Sequence, residues 1–474
     1  MQRKPKVLML LPNQRWSKRR AEWTIHPYGL CVILAILKDF CDIAFLDAHV
    51  DDLTPEACGE ILRELAPDVV GVSVLSDTYR EAGFKACDIA KEYVPKAATI
   101  MGGVFVTTRP KKAMGHPTVD YGVMGEGEYI MPEIVRYIMG QRDTLPEEGV
   151  VFRKDGELVI RPQKTFITDL DALPFPDYSV LDFTKYSTTF YKEPSAPRAL
   201  PYGKMVTSRG CPVGCVFCEV EHIAGKKVRA MSPERVMAEV RWLVDTYGIR
   251  SIEFLDDQLI GNVRRFRRLL ELLIEADLDL VWCAHNVSVF YLNEEILDLM
   301  RKAKCVYTSL AVESASPRVL KDIVGKPVKL EHAKRMASYA RKIGFESCGL
   351  FVIGFPGETW DEIRATIQFA SELEVDYVKL NIAAPFEGTR LHKLAVETGA
   401  IRPDFDMDEV EWGRGVMSTS EFTADQLLIL RAFEYDRINF GTPERRERLA
   451  RMMGMTMDEQ TAMRRRTIDL KLQH

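Results

Sequence analysis

In two separate blocks of this chain, short apolar, β-branched runs alternate with longer stretches of helical periodicity. This alternation restricts the fold more than any other feature. Between residue 6 and about residue 140, the strand-like runs are Val7–Leu11, Ile43–Leu46, Val69–Val74 and Thr99–Met101. Strands that alternate with helices predict a parallel, doubly wound α/β sheet. Ligands bind such sheets at the carboxyl ends of the strands, which here lead into the loops Pro12–Trp16, Ser76–Thr78, Gly102–Gly103 and Gly125–Glu128.

The second block begins near Lys204 and repeats the alternation six times. Its strand-like runs lie near Met205–Ser208, Ile252–Leu255, Leu280–Ala284, Thr308–Val312, Gly349–Ile353 and Val378–Ile382. Six such units predict a partial, open (β/α) barrel whose chemistry lies at the strand ends.

The two blocks suggest four segments along the chain. Residues 1–140 form the first domain, residues 201–395 the barrel and residues 396–474 a helical C-terminal segment. Residues 141–200 are interpreted as a linker with a β-hairpin, in which Gly149–Arg153 and Leu158–Arg161 flank the turn Asp155-Gly156.

Charge and apolar content exclude several classes of partner. With 64 Lys and Arg against 69 Asp and Glu, the formal net charge of -5 offers no attraction to nucleic acid or anionic lipid. No apolar run approaches the length of about 18 residues that a membrane span needs. The N-terminal apolar run ends at Pro12 without a cleavage site, so we expect a soluble, cytoplasmic protein. Its ten cysteines are then expected to be reduced thiols or metal ligands.

The strongest chemical signal is the spacing of Cys211, Cys215 and Cys218 directly after the first barrel strand. Three thiolates on one loop are able to ligate three irons of a cubane and leave the fourth iron open, whereas an electron-transfer cluster usually has four cysteines. The alternative is a zinc site, for which His222 would have to supply the fourth ligand.

This spacing, the strand before it and the aromatic Phe217 before the third cysteine resemble the radical S-adenosylmethionine (SAM) superfamily over residues of about 201 to 395. The resemblance implies a 4Fe-4S cluster on the three cysteines, with SAM chelating the open iron. It also implies an external electron donor, because reduction of the cluster cleaves SAM to methionine and a 5'-deoxyadenosyl radical.

The ends of later barrel strands extend the resemblance to SAM contacts. By this likeness Asp256 and Asp257 would meet the SAM amino group, Glu313 and Ser314 its carboxylate or ribose, and Ile353 and Gly354 its adenine, with Phe217 also beside SAM. Taken alone, each segment has a plainer interpretation. The two aspartates could cap a helix, and Gly354-Phe-Pro-Gly357 could be an ordinary turn.

The first domain resembles the flavodoxin-like (Rossmann-like) cobalamin-binding domain that precedes the barrel in one class of radical SAM enzymes. Small residues at its turns would let the backbone approach a flat macrocycle. The resemblance implies cobalamin contacts at Asn13, Gln14, Trp16, Tyr28, Gly29, Ser73, Leu75, Ser76, Gly102, Gly103, Gly125, Glu126, Gly127 and Glu128.

Two alternatives for this domain stay open: a degenerate unit that binds nothing, and the domain of a methylthiotransferase. The second needs three more cluster cysteines. Here the four cysteines of the first domain lie mostly in apolar helical faces and are interpreted as small core residues: Cys31, Cys41, Cys58 and Cys87.

The segment Asp47-Ala-His49 resembles a signature by which other cobalamin domains supply a histidine to cobalt. It follows the second strand rather than the first and lacks the final glycine of that signature. The loop after the first strand, Asn13 to Trp16, contains no histidine. We therefore expect a cobalamin without a histidine beneath the cobalt.

The favoured function is methylation of an unactivated carbon through a 5'-deoxyadenosyl radical and methylcobalamin, with a peptide or protein side chain as the first candidate substrate. The alternatives are a cyclase or rearrangement enzyme acting on a small molecule or tetrapyrrole, and a carrier without turnover. Fold-level likeness supports the first, since no residue decides between them. Near the third barrel strand, His285 is a candidate substrate-facing group or a structural histidine, and Cys283, Cys305 and Cys348 are interpreted as core.

The C-terminal segment is expected to cover the open edge or the bottom of the barrel, either as a structural cap or as part of the substrate enclosure. Its apolar residues are numerous enough to dock there: Trp412, Met417, Phe422, Leu427, Leu428, Leu430, Phe433 and Tyr435.

Overall fold

The computed structural model describes residues 3–17, 26–186, 198–410 and 414–472. The chain forms two compact units. The first comprises residues 1–190 with residues 222–225, and the second comprises residues 191–221 with residues 226–474. Within the described ranges, no helix combines the length and the apolar character needed to cross a membrane.

The first unit is built on a seven-stranded sheet of order β2-β1-β3-β4-β5-β6-β7. Strands β1 to β5 are parallel to one another, as predicted. The strands are β1 Lys6–Leu11, β2 Asp42–Asp47, β3 Val69–Ser73, β4 Ala98–Gly102, β5 Tyr121–Val123, β6 Val150–Lys154 and β7 Glu157–Arg161. The helices are α1 Tyr28–Leu37, α2 Pro55–Leu65, α3 Arg80–Tyr93, α4 Val104–Thr108, α5 Pro110–Gly115 and α6 Gly127–Ile138.

Both faces of this sheet are covered, which explains the continuous apolar runs of its strands. On β1, Leu8 and Leu10 enter one core, while Val7 and Met9 enter the core on the opposite face. The four cysteines of this unit are buried, as expected for small core residues.

The hairpin β6–β7 differs from its interpretation as part of a linker. It is present where the sequence predicts it, but β6 pairs antiparallel with β5 and so extends the first sheet. The physical reason is that Val150 and Val151 are fully buried, and their pairing satisfies the edge that β5 would otherwise expose.

The second unit contains six parallel strands in the linear order β15-β14-β13-β12-β11-β8, so the six predicted units are confirmed. These strands are β8 Tyr202–Met205, β11 Ser251–Phe254, β12 Val281–Ser288, β13 Cys305–Glu313, β14 Glu346–Ile353 and β15 Tyr377–Ile382. A short antiparallel ribbon pairs β9 Ser208–Arg209 with β10 Arg229–Ala230. The helices of this unit are α8 Pro233–Tyr247, α9 Val263–Ala276, α10 Glu294–Lys302, α11 Leu330–Lys342, α12 Trp360–Glu372 and α13 Arg390–Glu397, and the short α7 Val220–Ile223 has its last two residues in the first unit.

Three C-terminal helices follow the barrel: α14 Ala424–Phe440, α15 Pro443–Met452 and α16 Met457–Leu472. Helix α14 lies along β15, the last strand of the sheet. The side chain of Asn439 accepts a hydrogen bond from the Val378 N–H at 2.8 Å and donates one to the Val378 carbonyl at 2.9 Å. Arg431 donates to the Leu380 carbonyl at 2.7 Å. Side chains of α14 thus satisfy backbone groups of the edge strand, as the need to cover an open edge predicts.

The apolar residues proposed for this docking are only partly used. Met417, Phe422 and Leu427 are buried, whereas Phe433 is 66% exposed. Trp412 lies outside the described residues. Below the barrel, Phe440, Leu449 and Met452 pack with Tyr307 and Tyr377. The described part of the segment therefore contacts both the edge and the bottom.

Candidate functional site

The loop of Cys211, Cys215 and Cys218 begins at Gly210, whose φ of +87° favours glycine. Three contacts from later segments hold it. The Val216 N–H donates to the Val324 carbonyl at 3.0 Å, and the Leu391 N–H donates to the Val216 carbonyl at 2.9 Å. Arg390, at the start of α13, donates to the Gly214 carbonyl. The cysteine positions are therefore fixed by tertiary hydrogen bonds in addition to the loop's own sequence.

Asp256 and Asp257, at the end of β11, hold the segment that leads into this loop. Asp256 is buried and accepts hydrogen bonds from the Thr207 hydroxyl at 2.7 Å and the Ser208 hydroxyl at 2.6 Å. Asp257 accepts from the Gly210 N–H at 2.8 Å. Burial raises the pKa of both carboxyls, although these hydrogen bonds act in the opposite direction. Neither residue caps a helix, because Asn262 is the N-cap of α9. Their contact with SAM stays a prediction.

Glu313 ends β13 with a φ of +74° and is paired with a residue that sequence reasoning missed. The Lys326 ammonium lies 2.7 Å from a Glu313 carboxylate oxygen, and both residues are buried. Burial lowers the pKa of Lys326, but Glu313 and Cys215 raise it by more, so the net shift is upward. Lys326 follows a π-helical turn, Val319–Val324, and such turns are frequent at functional sites. No sequence pattern predicts this π-helical turn, so the sequence alone contains no signal for Lys326.

Ser314, the other residue predicted beside Glu313, is fully buried, and its hydroxyl lies 3.2 Å from the Thr366 hydroxyl. The neighbouring Ser316 donates to Glu362, which is also the capping-box residue of α12. The pKa of Glu362 is lowered to about 2, and its hydrogen bond with Arg318 is the largest cause. The loop after β13 is therefore fixed to the first turn of α12.

The turn after β14 lies beside the cysteine loop. Ile353 is buried, and Gly354 has a φ of +87°. A Cβ at Gly354 would lie 2.4 Å from a methyl group of Leu427, so only glycine fits there. The Gly354 and Phe355 N–H groups donate to Glu358 at 2.6 and 3.0 Å. Burial raises the pKa of Glu358 to about 7. The rings of Phe217 and Phe355 are 6.0 Å apart, which places the aromatic residue of the cysteine loop against this turn.

Burial favours the protonated form of the three thiols, so a metal cluster that binds them has to displace their protons. Burial raises the pKa of Cys215 to about 12 and that of Cys218 to about 11, while Lys326 acts in the opposite direction on Cys215. Thiol ligands bind metal as thiolates, so loading releases protons. Among the described residues, no group of three or more His, Cys, Asp or Glu side chains is close enough to hold a metal ion.

A groove of about 630 Å³ opens beside the cysteine loop. It is lined on one side by Pro212 and Val213 and on the other by Tyr291, Leu320 and Lys326. The site therefore has an opening next to the first cysteine.

In the first unit, a small cavity of about 20 Å³ lies at the carboxyl ends of β1, β2 and β3. Three of the predicted cobalamin residues line it, namely Gln14, Ser73 and Leu75. Leu75 is 42% exposed. The other lining residues are Leu11, Pro12, Asp47, His49 and Tyr79.

Several other predicted cobalamin residues have structural roles that account for them. Asn13 donates to the Leu53 carbonyl at 3.1 Å, and the Trp16 indole donates to the same carbonyl at 3.0 Å. A Cβ on Gly103, whose φ is +101°, would lie 2.4 Å from the Val74 carbonyl oxygen. A Cβ on Gly125 would lie 2.0 Å from the Gln163 side chain.

The remaining predicted residues show mixed environments. Gly29 is exposed with open space around it, and Tyr28 is buried. Ser76 accepts from the Thr78 N–H at 3.3 Å, and Glu126 accepts from the Ile167 N–H at 2.7 Å. Of the others, Gly102 and Gly127 are half-buried and Glu128 is buried. Cobalamin contacts at all these positions stay predictions.

His49 is held inside the protein rather than presented at its surface. It is 8% exposed, and its Nδ1 atom lies 3.2 Å from the Asn13 side-chain oxygen. Asp47, which accepts from the His49 N–H at 3.1 Å and from the Tyr186 hydroxyl at 2.9 Å, has its pKa raised to about 6 by burial. Sequence reasoning named Asp47 but missed its partner Tyr186, because a separation of 139 residues gives no local signal. The absence of a histidine beneath cobalt stays a prediction.

Comparison with known proteins identifies both units. The family model of the radical SAM superfamily matches residues 205–370, and that of the B12 binding domain matches residues 19–135. An uncharacterised methyltransferase of Pyrococcus horikoshii is 32% identical over 428 residues, 89% of this chain and 89% of that protein. The cytidylyl-2-hydroxyethylphosphonate methyltransferase of Streptomyces wedmorensis is 26% identical over 87% of this chain and 86% of its own length. The anaerobic magnesium-protoporphyrin IX monomethyl ester cyclase of Rubrivivax gelatinosus is 26% identical over 89% and 75% of the two chains.

Among solved structures, the radical SAM methyltransferase TsrM from Kitasatospora setae, determined with tryptophan substrate and a SAM analogue, has the same fold. Its TM-score is 0.69 at 20% identity, covering 84% of this chain and 77% of that one. The two matched domains imply a 4Fe-4S cluster, SAM and cobalamin as cofactors. The chain thus belongs to the cobalamin-binding radical SAM enzymes, with the B12-binding domain preceding the radical SAM domain.

Proposed function

We propose that this enzyme transfers a methyl group from SAM, by way of cobalamin, to an unactivated carbon of a small organic substrate. The observation that carries the proposal is the full-length similarity to methyltransferases, at 32% identity over 89% of the chain for the first relative. A carrier without turnover would not need the complete set of strand-end residues around the cysteine loop.

In this proposal the thiolates of Cys211, Cys215 and Cys218 hold the cluster. When bound, the cluster and SAM supply a 5'-deoxyadenosyl radical and cobalamin supplies the methyl group. Asp256 and Asp257 fix the entry to the cysteine loop through their bonds to Thr207, Ser208 and Gly210. An external electron donor completes the set of partners.

Glu313 is proposed to pair with Lys326 and to contact SAM. Lys326 holds one of its carboxylate oxygens at 2.7 Å and balances its charge, so the carboxylate is positioned before any ligand arrives. The φ of +74° at Glu313 turns the chain at the end of β13, where the predicted SAM contact lies. Preorganised charge of this kind needs no rearrangement when a ligand binds.

A small substrate is favoured over the peptide or protein side chain that sequence analysis placed first. The relatives described above are named for a nucleotidyl phosphonate and a tetrapyrrole ester, and the TsrM structure contains tryptophan. These substrates are small molecules, and peptide modification finds no support among them.

Ring formation without methylation is the second candidate, favoured by the similarity to the Rubrivivax gelatinosus cyclase over 89% of this chain. The product distinguishes the two functions. A methyltransferase adds one methyl group to its substrate, whereas a cyclase removes hydrogen and adds no carbon.

The test uses anaerobically reconstituted enzyme, a reductant and SAM with an isotopically labelled methyl group, in parallel assays with the small-molecule and the protein fractions of a cell extract. We expect mass spectrometry to find a labelled compound that is absent with the Cys211→Ala/Cys215→Ala/Cys218→Ala variant. Consumption of an extract compound without incorporation of label would favour the cyclase. Label in a protein fraction alone would contradict the small-molecule substrate.

A further inference from the structure

Helix α14 contacts the barrel through side chains that recur every four residues. Leu427 is fully buried, and Asn439 at the other end of the helix bonds to both backbone groups of Val378. Between them, the Tyr435 hydroxyl lies 2.7 Å from the Tyr377 hydroxyl. We name these side chains the inner row and define it as Leu427, Arg431, Tyr435 and Asn439. Their contacts fix the rotation of α14 about its own axis.

A second row of side chains lies on the opposite face of α14. We name it the outer row and define it as Asp425, Ile429, Phe433 and Arg437. Residues four apart are neighbours on a helix surface, so this row is continuous. It is offset from the inner row by two residues, which is about 200° of rotation at about 3.6 residues per turn. The outer row therefore points away from the barrel, and all of its members are exposed.

The centre of the outer row is apolar. Phe433 is 66% and Ile429 56% exposed, which makes them the two most exposed large apolar side chains among the described residues. Scattered apolar residues at a surface need no explanation. Two adjoining ones, on a helix that already buries apolar side chains on its opposite face, indicate a surface that another protein covers.

The ends of the outer row carry opposite charges. Asp425 lies in the first turn of α14 and Arg437 in the last. The helix dipole favours an acidic residue at the first turn and a basic one at the last, which accounts for their signs. It does not account for the apolar pair between them. Arg437 donates to Glu434 at 2.7 Å, and its guanidinium has further N–H groups for a second carboxylate.

The outer row is complementary to itself in the antiparallel direction. Its midpoint is at the level of Arg431, and Asp425 lies as far before that level as Arg437 lies after it. The same holds for Ile429 and Phe433. A twofold axis at this level places Asp425 opposite Arg437 of the partner subunit and Ile429 opposite Phe433 of the partner subunit. Such an isologous contact makes each interaction twice and closes at two subunits.

We infer that two copies of this chain associate through the outer rows of their α14 helices, packed antiparallel about a twofold axis. Ile429 and Phe433 form the apolar centre of the contact, and Asp425 and Arg437 set its direction. A parallel arrangement would bring like charges together at both ends. The inference does not rest on the proposed reaction, since no residue of the outer row takes part in it.

The test is sedimentation velocity of the anaerobically reconstituted full-length enzyme between about 1 and 100 µM. A contact made by one helix from each copy is small, so we expect a reversible dimer with a dissociation constant in this range. No species larger than a dimer is expected, because the contact closes. A monomer over the whole range would overturn the inference and leave the outer row to a different protein.

Truncation of Phe433 tests whether the apolar centre carries the association. Phe433→Ala removes two aromatic side chains from each dimer and should weaken dimerisation by about a hundredfold. The monomer should keep its fold because the ring is exposed, and circular dichroism checks this. Leu158→Ala is the matched control, because Leu158 is a 38% exposed apolar residue on β7 in the first unit. Equal dimerisation of the two variants would place the contact elsewhere and overturn the inference.

Charge reversal tests the antiparallel direction. Asp425→Lys and Arg437→Glu should each weaken self-association by about tenfold, because two like-charge contacts replace two attractive ones in every dimer. An equimolar mixture of the two variants should dimerise as strongly as the unaltered chain, since each contact then joins opposite charges again. These variants keep the apolar pair and serve if Phe433→Ala does not fold. A mixture that associates no better than its separate components would exclude the antiparallel contact and overturn the inference.

Discussion

Removal of the Lys326 ammonium tests the buried pair that supports the cysteine loop. Lys326 is 5% and Glu313 7% exposed, and their charged atoms are 2.7 Å apart. In Lys326→Met the Glu313 carboxylate stays buried without its partner. Breaking a buried pair in this way typically costs about 3 to 5 kcal/mol, whereas an exposed pair contributes about 0 to 1 kcal/mol. We therefore expect Lys326→Met to be among the most destabilising single substitutions in the second unit.

The assay is urea unfolding followed by a probe in the second unit. For an m-value of about 3 kcal/mol/M, the expected loss lowers the midpoint by about 1 to 2 M. Lys321→Met is the matched control, because Lys321 is exposed in the π-helical turn that precedes Lys326, and its midpoint should change little.

The double variant Lys326→Met/Glu313→Gln decides the cause. If the cost arises from an uncompensated charge, neutralising Glu313 should recover most of the lost stability. A double variant no more stable than Lys326→Met alone, or a Lys326→Met midpoint equal to that of Lys321→Met, would refute the reasoning.

Three further predictions concern other parts of the molecule. The Cys211→Ala/Cys215→Ala/Cys218→Ala variant should lose its iron and keep its cobalamin, and iron analysis showing an intact cluster would contradict the assignment. Burial raises the pKa of Glu358 to about 7, above its unfolded value, so its protonated form favours folding and stability should fall as pH rises from about 4.5 to 7. Glu358→Gln should remove about 3 kcal/mol of that pH-dependent change in the free energy of unfolding, measured by urea unfolding at each pH, and an unchanged slope would assign the pH dependence to other groups. Asn439→Ala leaves the Val378 N–H and carbonyl without their side-chain partners and should cost about 2 to 3 kcal/mol, whereas the exposed Arg437→Ala should cost little; equal midpoints would show that α14 does not protect the edge.

The order of the two folds was predictable from the sequence because strand periodicity is local. Runs such as Val69–Ser73 are buried on both faces, and such strands are continuous apolar runs. The hairpin β6–β7 was also locally visible, but its pairing was not. Whether Val150 and Val151 join a sheet depends on the edge of β5, which a local pattern does not reveal.

The candidate site was predictable only where a motif marks it. The cysteine spacing and the strand-end motifs pointed to Cys211, Asp257 and Glu313. Lys326 was missed because a single lysine has no pattern, and its importance arises from its burial against Glu313. In the first unit Tyr186 was missed for the same reason, since only the fold brings it to Asp47.

The most direct test of the proposed methyl transfer is the fate of SAM once a methylated product is found. Radical-based methylation consumes one SAM for the 5'-deoxyadenosyl radical and another for the methyl group. We predict that purified enzyme forms 5'-deoxyadenosine, S-adenosylhomocysteine and methylated product in equal amounts, measured together by mass spectrometry. Formation of 5'-deoxyadenosine with no S-adenosylhomocysteine and an unmethylated product, or of S-adenosylhomocysteine alone, would contradict the account.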